Sequence, residues 1–105
     1  TTLTRRERGL LQRHEWCISA IVLWELAKLF QLGRIKIDIN HKEFQSTLDS
    51  IHVLPVDTQV CLAIAKLDIQ NDPADEIIAA TSLAYDIPLL TRDRKLLTSK
   101  VVPLA

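Results

Sequence analysis

Three carboxylates stand in apolar sequence where a soluble protein has little structural use for a bare charge. Glu25 interrupts the run Ile18-Ser19-Ala20-Ile21-Val22-Leu23-Trp24-Glu25-Leu26-Ala27. Asp75 lies at the start of Asp72-Pro73-Ala74-Asp75-Glu76-Ile77-Ile78-Ala79-Ala80, and Asp93 follows Pro88-Leu89-Leu90-Thr91-Arg92. Burying a lone carboxylate is costly unless a cation offsets its charge. Three acids beside buried-looking sequence, far apart in the chain, suggest one shared cation. Hard cations such as Mg²⁺ take oxygen ligands and bind through a few carboxylates together with waters and phosphates. That donor set points to phosphodiester chemistry.

Each acid also has a plainer use. Asp75 sits where a negative charge favours the positive end of a helix dipole, although Asp72 already provides a cap there and Glu76 a second charge. Asp93 can cap the turn Arg94–Thr98. Glu25 can turn outward and pair with Lys28, three residues along the same helix. Taken together, the three plain uses explain the pattern less well than a common site does. Other candidates carry less. His14, His41 and His52 are not at metal-ligand spacing. Ser19 and Thr91 read as a cap and a strand-end residue, with no G-x-S-x-G around them. With only Gly9 and Gly33, the chain has no glycine-rich phosphate loop.

The elements that must position these acids follow from punctuation and periodicity. Thr4 caps a short basic helix from Arg5 to about Gln12. Trp16-Cys17-Ile18 reads as a buried strand, and Ser19 caps a helix to about Leu32 with Gly33 as its stop. Residues 23, 26, 27 and 30 give that helix a buried face. Arg34 to Ile39 is a connector, and Asn40 caps a helix over about His41 to Ser50. Ile51 to Val56 is a strand; Asp57 caps Thr58 to about Leu67. Asn71-Asp72-Pro73 starts a helix ending near Tyr85, with Pro73 in its first position. Leu89–Thr91 is a strand, Arg94–Thr98 a helical turn and Val101–Leu104 a last short strand. Short, continuously apolar strands alternating with helices predict an α/β domain, a parallel sheet covered on both faces. Ligands of such sheets bind outside the carboxyl ends of the strands, where Asp93 and Ser19 fall, with Glu25 under two turns beyond Ser19.

Bulk composition is consistent with that reading. The 105 residues are enough for one domain with a real core, and 13 basic against 13 acidic residues rule out a general polyanion sponge. Nucleic-acid contact must then come from a local patch, for which Arg92, Arg94 and Lys95 around Asp93 are candidates; an exposed helical turn explains them equally well. Cys17 and Cys61 form no C-x-x-C and read as reduced core residues. No apolar stretch reaches the ~20 residues of a membrane span and no secretory signal is visible, so a cytoplasmic setting is expected. The sequence holds no Met, and a natural N-terminus upstream of Thr1 is expected.

The segments quoted above, with Leu32-Gly33-Arg34-Ile35, Leu54-Pro55-Val56 and Leu90-Thr91-Arg92-Asp93-Arg94-Lys95-Leu96, resemble in their order the PIN domains. They are most similar to the VapC-type toxins of bacterial toxin–antitoxin pairs. The resemblance runs from Ser19 to the end. It implies a doubly wound α/β fold and a Mg²⁺- or Mn²⁺-dependent endoribonuclease, with an RNA substrate and an antitoxin protein as partner. It maps three family acids onto Glu25, Asp75 and Asp93, as catalytic residues and metal ligands, with Thr91 supporting the last. The fourth, an Asp at the end of a first strand, has no counterpart here, and that strand would precede Thr1. A chain lacking it is expected to pair through its open strand edges into a homo-oligomer and to be impaired as a nuclease. A catalytically impaired binding or oligomerisation module is therefore the rival reading. A metal-dependent phosphatase fits less well, since no D-x-D follows a first strand.

Overall fold

The computed structural model describes residues 4–6, 9, 16–36, 38 and 40–105. Arg5, Arg6 and Gly9 are helical; the rest of the expected N-terminal helix, and His14, lie outside the described residues. Strand β1, Trp16–Ser19, leads into helix α1, Ala20–Gln31. Ser19 makes the transition: its backbone is extended and its Oγ accepts the Ile21 N–H at 3.3 Å. Gly33, at φ 71°, ends the helix. Its N–H donates to the Phe30 carbonyl, and the Arg34 N–H to that of Leu29, which satisfies two carbonyls of the last turn.

Helix α2, Lys42–Asp49, is capped by His41, whose Nδ1 accepts the Glu43 N–H, and not by Asn40 as expected. The Asn40 N–H is instead bound to Asp38, so the chain turns one residue before the helix begins. Strand β2, Ile51–Leu54, runs parallel to β1 with Trp16 opposite Ile51 and Ser19 opposite Leu54. It stops at Pro55, which has no N–H to donate.

Asp57 caps helix α3, Thr58–Ile64, through its Oδ1 and the Val60 N–H. The helix was expected to reach Leu67. Beyond Ile64 the N–H groups of Lys66 and Leu67 reach back only three residues, a tighter turn. Helix α4, Pro73–Tyr85, has Pro73 in its first turn and ends on Asp86 in the left-handed region, φ 53°, a conformation Asp tolerates better than most residues. Helix α5, Arg94–Leu97, is one turn capped by Asp93.

The last two expected strands meet only in an isolated parallel bridge between Leu89 and Leu104. The Leu89 N–H donates to the Pro103 carbonyl and the Ala105 N–H to Leu89. Pro103 and Pro88 have no N–H, so the ladder cannot extend through them. The described fold is thus α/β, with a small two-stranded parallel sheet, the order β1–β2, and a separate bridge.

Packing centres on α4. Val60, Ala63 and Ala80 form one buried cluster, completed by Ile64, Ile77, Leu83 and Tyr85. Ala79, Leu96 and Val102 form a second with Ile69, Leu89 and Leu104. Ala79 and Ala80 are fully buried, and their small side chains let α4 lie close to both neighbours. Between β1 and the Leu89 bridge lies an apolar cavity of about 530 Å³, lined by Cys17, Ile18, Leu54, Ile78, Leu89 and Leu90 among others.

Two expectations about burial are corrected. Phe30 is exposed and no residue of α1 is fully buried; among the described residues the helix packs mainly on α4 and β1. Cys61 is an exposed thiol, not a core residue, since α3 turns Val60 and Ala63 inward and carries Cys61 and Leu62 outward. Cys17 is half-buried, and both thiols are free. Among the described residues, no helix is long and apolar enough to cross a membrane.

Candidate functional site

The loop before α4 and the loop before α5 converge on their acids. Thr91 folds its own loop: its Oγ1 accepts the Asp93 N–H at 3.0 Å. Asp93 then caps α5, with Oδ1 accepting the N–H groups of Lys95 and Leu96 at 2.8 and 3.3 Å. The other carboxylate oxygen, Oδ2, accepts from the Asn71 side-chain amide at 3.1 Å. These donors, that of Asn71 foremost and then the Leu96 amide, hold the Asp93 carboxyl below its ordinary range; the nearby charge of Lys95 adds to the effect.

Asp75 stands in the first turn of α4, half-buried. No protein donor bonds its carboxylate among the described residues. Burial pushes its pKa up, and the charges of Asp72 and Asp93 push it further in the same direction. The two acids read from sequence as partners therefore lie within each other's electrostatic reach, with opposite consequences. Asp93 is stabilised as an anion and Asp75 is not.

Asp72 occupies the cap position of α4 but makes no capping bond with its side chain. The local work falls to Glu76 and Asn71: the Glu76 carboxylate accepts the Asn71 N–H, and the Asn71 side-chain oxygen accepts the Asp72 N–H. Asn71 is the residue of this candidate site that its sequence did not single out. Its signal was the segment Asn71-Asp72-Pro73, read only as a helix start.

Glu25 is half-buried on α1, a helix that packs against α4. Its expected outward partner, Lys28, instead donates to Gln31 at 3.0 Å. Glu25 is not among the charges acting on Asp75. Among the described residues, no three His, Cys, Asp or Glu side chains are drawn together tightly enough to enclose a metal ion. Ser19 is nine-tenths or more buried, accepts from the Thr81 hydroxyl at 3.3 Å and acts as a helix cap. Arg92, Arg94 and Lys95 are exposed around Asp93.

The donor chemistry fits a hard divalent cation. Mg²⁺ keeps several waters and is held by one or two carboxylates plus substrate phosphates, without an all-protein cage. Asp75, half-buried, without a donor among the described residues and within the electrostatic reach of Asp93, has the chemistry such a ligand needs. The basic side chains beside Asp93 suit a phosphate backbone.

The sequence model of the PIN domain matches residues 2–100, nearly the whole chain, and the chain belongs to the PIN domain family. A nuclease-type activity follows from that membership. A search of curated proteins finds no match to the chain.

Proposed function

We propose that this chain is a divalent-metal-dependent endoribonuclease of the VapC type, the toxin of a toxin–antitoxin pair. The observation that carries the reading is the Asp75 carboxylate: half-buried, without a donor among the described residues, and in the field of Asp93 within a PIN-family chain. Asp75 and Asp93 would hold Mg²⁺ or Mn²⁺, with Glu25 contributing from α1. When bound, such a cation neutralises charge on a phosphodiester and activates a water for attack. The remaining parts are the chain's own. Thr91 fixes the Asp93 backbone and the α5 amides its carboxylate, and with Asn71 on Oδ2 one lone pair of that oxygen is left for a cation. Arg92, Arg94 and Lys95 neutralise flanking phosphates from the exposed rim. The substrate is RNA and the protein partner is an antitoxin, both drawn from the sequence resemblance.

RNA cleavage by the purified chain with Mg²⁺ or Mn²⁺, with EDTA, and in the Asp75→Asn variant tests the reading. The impaired activity expected of the chain lowers the level of cleavage and not its requirements: whatever its level, cleavage is expected only with metal and with Asp75 intact. Cleavage that persists in EDTA overturns it.

One observation favours a second reading, a pairing module. The cavity of about 530 Å³ is lined by Cys17 and Ile18 of β1 on one side and by the bridged Leu89 and its neighbour Leu90 on the other, with no charged side chain among the described residues of its wall. Leu89 spends both its N–H and its carbonyl on the Leu104 side. Backbone groups alternate along a strand, so those of Leu90 face the opposite edge. Open strand edges recruit further strands, and a dimer in light scattering with no metal-dependent cleavage would favour this module over the nuclease.

A further inference from the structure

We propose that Asn71 is a positioning residue of the acid site, fixing the Asp93 carboxylate relative to Asp75. The proposal deepens the nuclease reading above and rests on it. Asn71 joins the two loops that carry the acids. Its Nδ2 donates across 22 residues of sequence to Asp93 Oδ2 at 3.1 Å, and its Oδ1 accepts the Asp72 N–H at 2.9 Å. A carboxylate can only accept and an N–H can only donate, so the two partners dictate which way the amide faces. Its backbone N–H is bound to the Glu76 carboxylate at 3.2 Å, which anchors the residue to the first turn of α4. Asn71 is half-buried. A residue tied at three points between two helix starts, two on its side chain and one on its backbone, is stiff.

The arrangement has a chemical result. Asp93 Oδ1 is committed to two α5 amides, whereas Oδ2 has the Asn71 amide as its donor. The Asn71 amide takes one lone pair of Oδ2 and leaves the other. A neutral donor is suited to the task. A Lys or Arg in its place would neutralise the site and compete with a cation, and a carboxylate would repel Asp93. Partners that orient a metal-binding carboxylate without touching the metal typically change affinity or activity by ~10–100-fold when lost.

Asn71→Asp and Asn71→Ala separate positioning from a merely structural part. Asp keeps the acceptor for the Asp72 N–H and loses the donor to Asp93; Ala loses both. In the full 105-residue chain three quantities are read: amide hydrogen exchange at Lys95 and Leu96, the Mn²⁺-induced shift in melting temperature, and kcat and KM for RNA cleavage. Both variants are expected to exchange faster at Lys95 and Leu96 with α3 amides unchanged. Both should lose about tenfold or more in kcat with KM little moved. Wild-type exchange and kcat in Asn71→Asp, with losses confined to Asn71→Ala, would assign Asn71 to the α4 start alone and overturn the proposal. No Mn²⁺ shift in the wild-type chain would instead defeat the metal reading of the site, and the exchange rates would still decide whether Asn71 holds Asp93.

Discussion

Asp57, the cap of α3, and Asp68, in the segment after that helix, meet a different fate from Asp75 in the first turn of α4. Asp57 accepts the Val60 N–H on one oxygen and the Tyr85 hydroxyl on the other. Asp68 accepts the Ser99 hydroxyl and the Lys100 N–H. Both carboxyls are held below their ordinary range, by the Tyr85 and Ser99 hydroxyls first and backbone amides second. Tyr85 is pushed up in turn, because its proton is engaged by Asp57. These acids are completed structural joints: one ties the α3 start to the α4 end, the other ties the segment after α3 to the turn after α5. Asp75 has the same residue type in a comparable place, and burial with two neighbouring acids raises its pKa. Donors decide which carboxylates finish the fold and which stand without partners among the described residues. Asp93 stands between, satisfied by donors yet exerting its charge on Asp75.

The contrast breaks most visibly in activity. Asp75→Asn and Asp93→Asn are each expected to reduce metal-dependent RNA cleavage by more than the ~10–100-fold that losing an outer partner causes, with Glu25→Gln acting in the same direction. Circular dichroism should show all three folded. Full activity in any two of them would remove the acid site from the reaction. Metal binding gives the next effect in size. A ligand that binds only the folded state stabilises it by ~2.7 kcal/mol at a hundredfold excess over Kd. In a domain of this length that corresponds to roughly 10 °C or more in melting temperature. Mn²⁺ should produce the shift in the wild-type chain and fail to in Asp75→Asn, whereas Asp68→Ala should retain it.

Much of this was legible in the sequence where a single residue has a single local job. Ser19 and Asp57 read as caps and cap; Asp93 caps as well, the plainer of the two uses its sequence offers; Gly33 read as a stop and stands at positive φ. Adjacent polar residues were not separable, so Asn40 was preferred to His41. The run Val60-Cys61-Leu62-Ala63-Ile64 is apolar all round and shows no face, which is why the exposure of Cys61 was hidden. The pairing of Asp75 with Asp93 was accessible because both open helices after loops on one rim. The bond from Asn71 to Asp93 depends on tertiary approach over 22 positions, and no local pattern encodes that.

The structural joints supply the third effect. Asp57→Ala removes a cap and a link to α4, and is expected to lower the melting temperature by roughly 4–8 °C. Its folded pKa is depressed below 3.8. The stabilisation is therefore complete above 3.8 and is lost as pH falls through the lower folded value. A thermal melt series from neutral pH downward checks this: the gap between wild type and variant should close only in strong acid. A gap that closed near neutrality would mean that another group carries the joint.

The smallest effect has the opposite sign and separates Asp75 from the joints most sharply. Its folded pKa is raised above 3.8 by burial first, then by Asp72 and Asp93. A raised carboxyl pKa means that the anion is disfavoured in the folded state. The group's contribution to stability is present in full below 3.8, where it is protonated in folded and unfolded chains alike, and is lost as pH rises through the folded value. At neutral pH without metal, Asp75 therefore acts against the fold. Asp75→Asn keeps the shape, removes the charge, and is expected to raise the metal-free melting temperature by a few °C at most. The advantage should fade in acid, where the wild-type carboxyl is protonated, and should reverse at neutral pH once Mn²⁺ is added, because only the wild type then gains a ligand. Paired melts at pH 7 and below pH 3.8, each with and without Mn²⁺, would show the crossing. A variant less stable than the wild type in every condition would place Asp75 with Asp57 and Asp68, as a third structural joint.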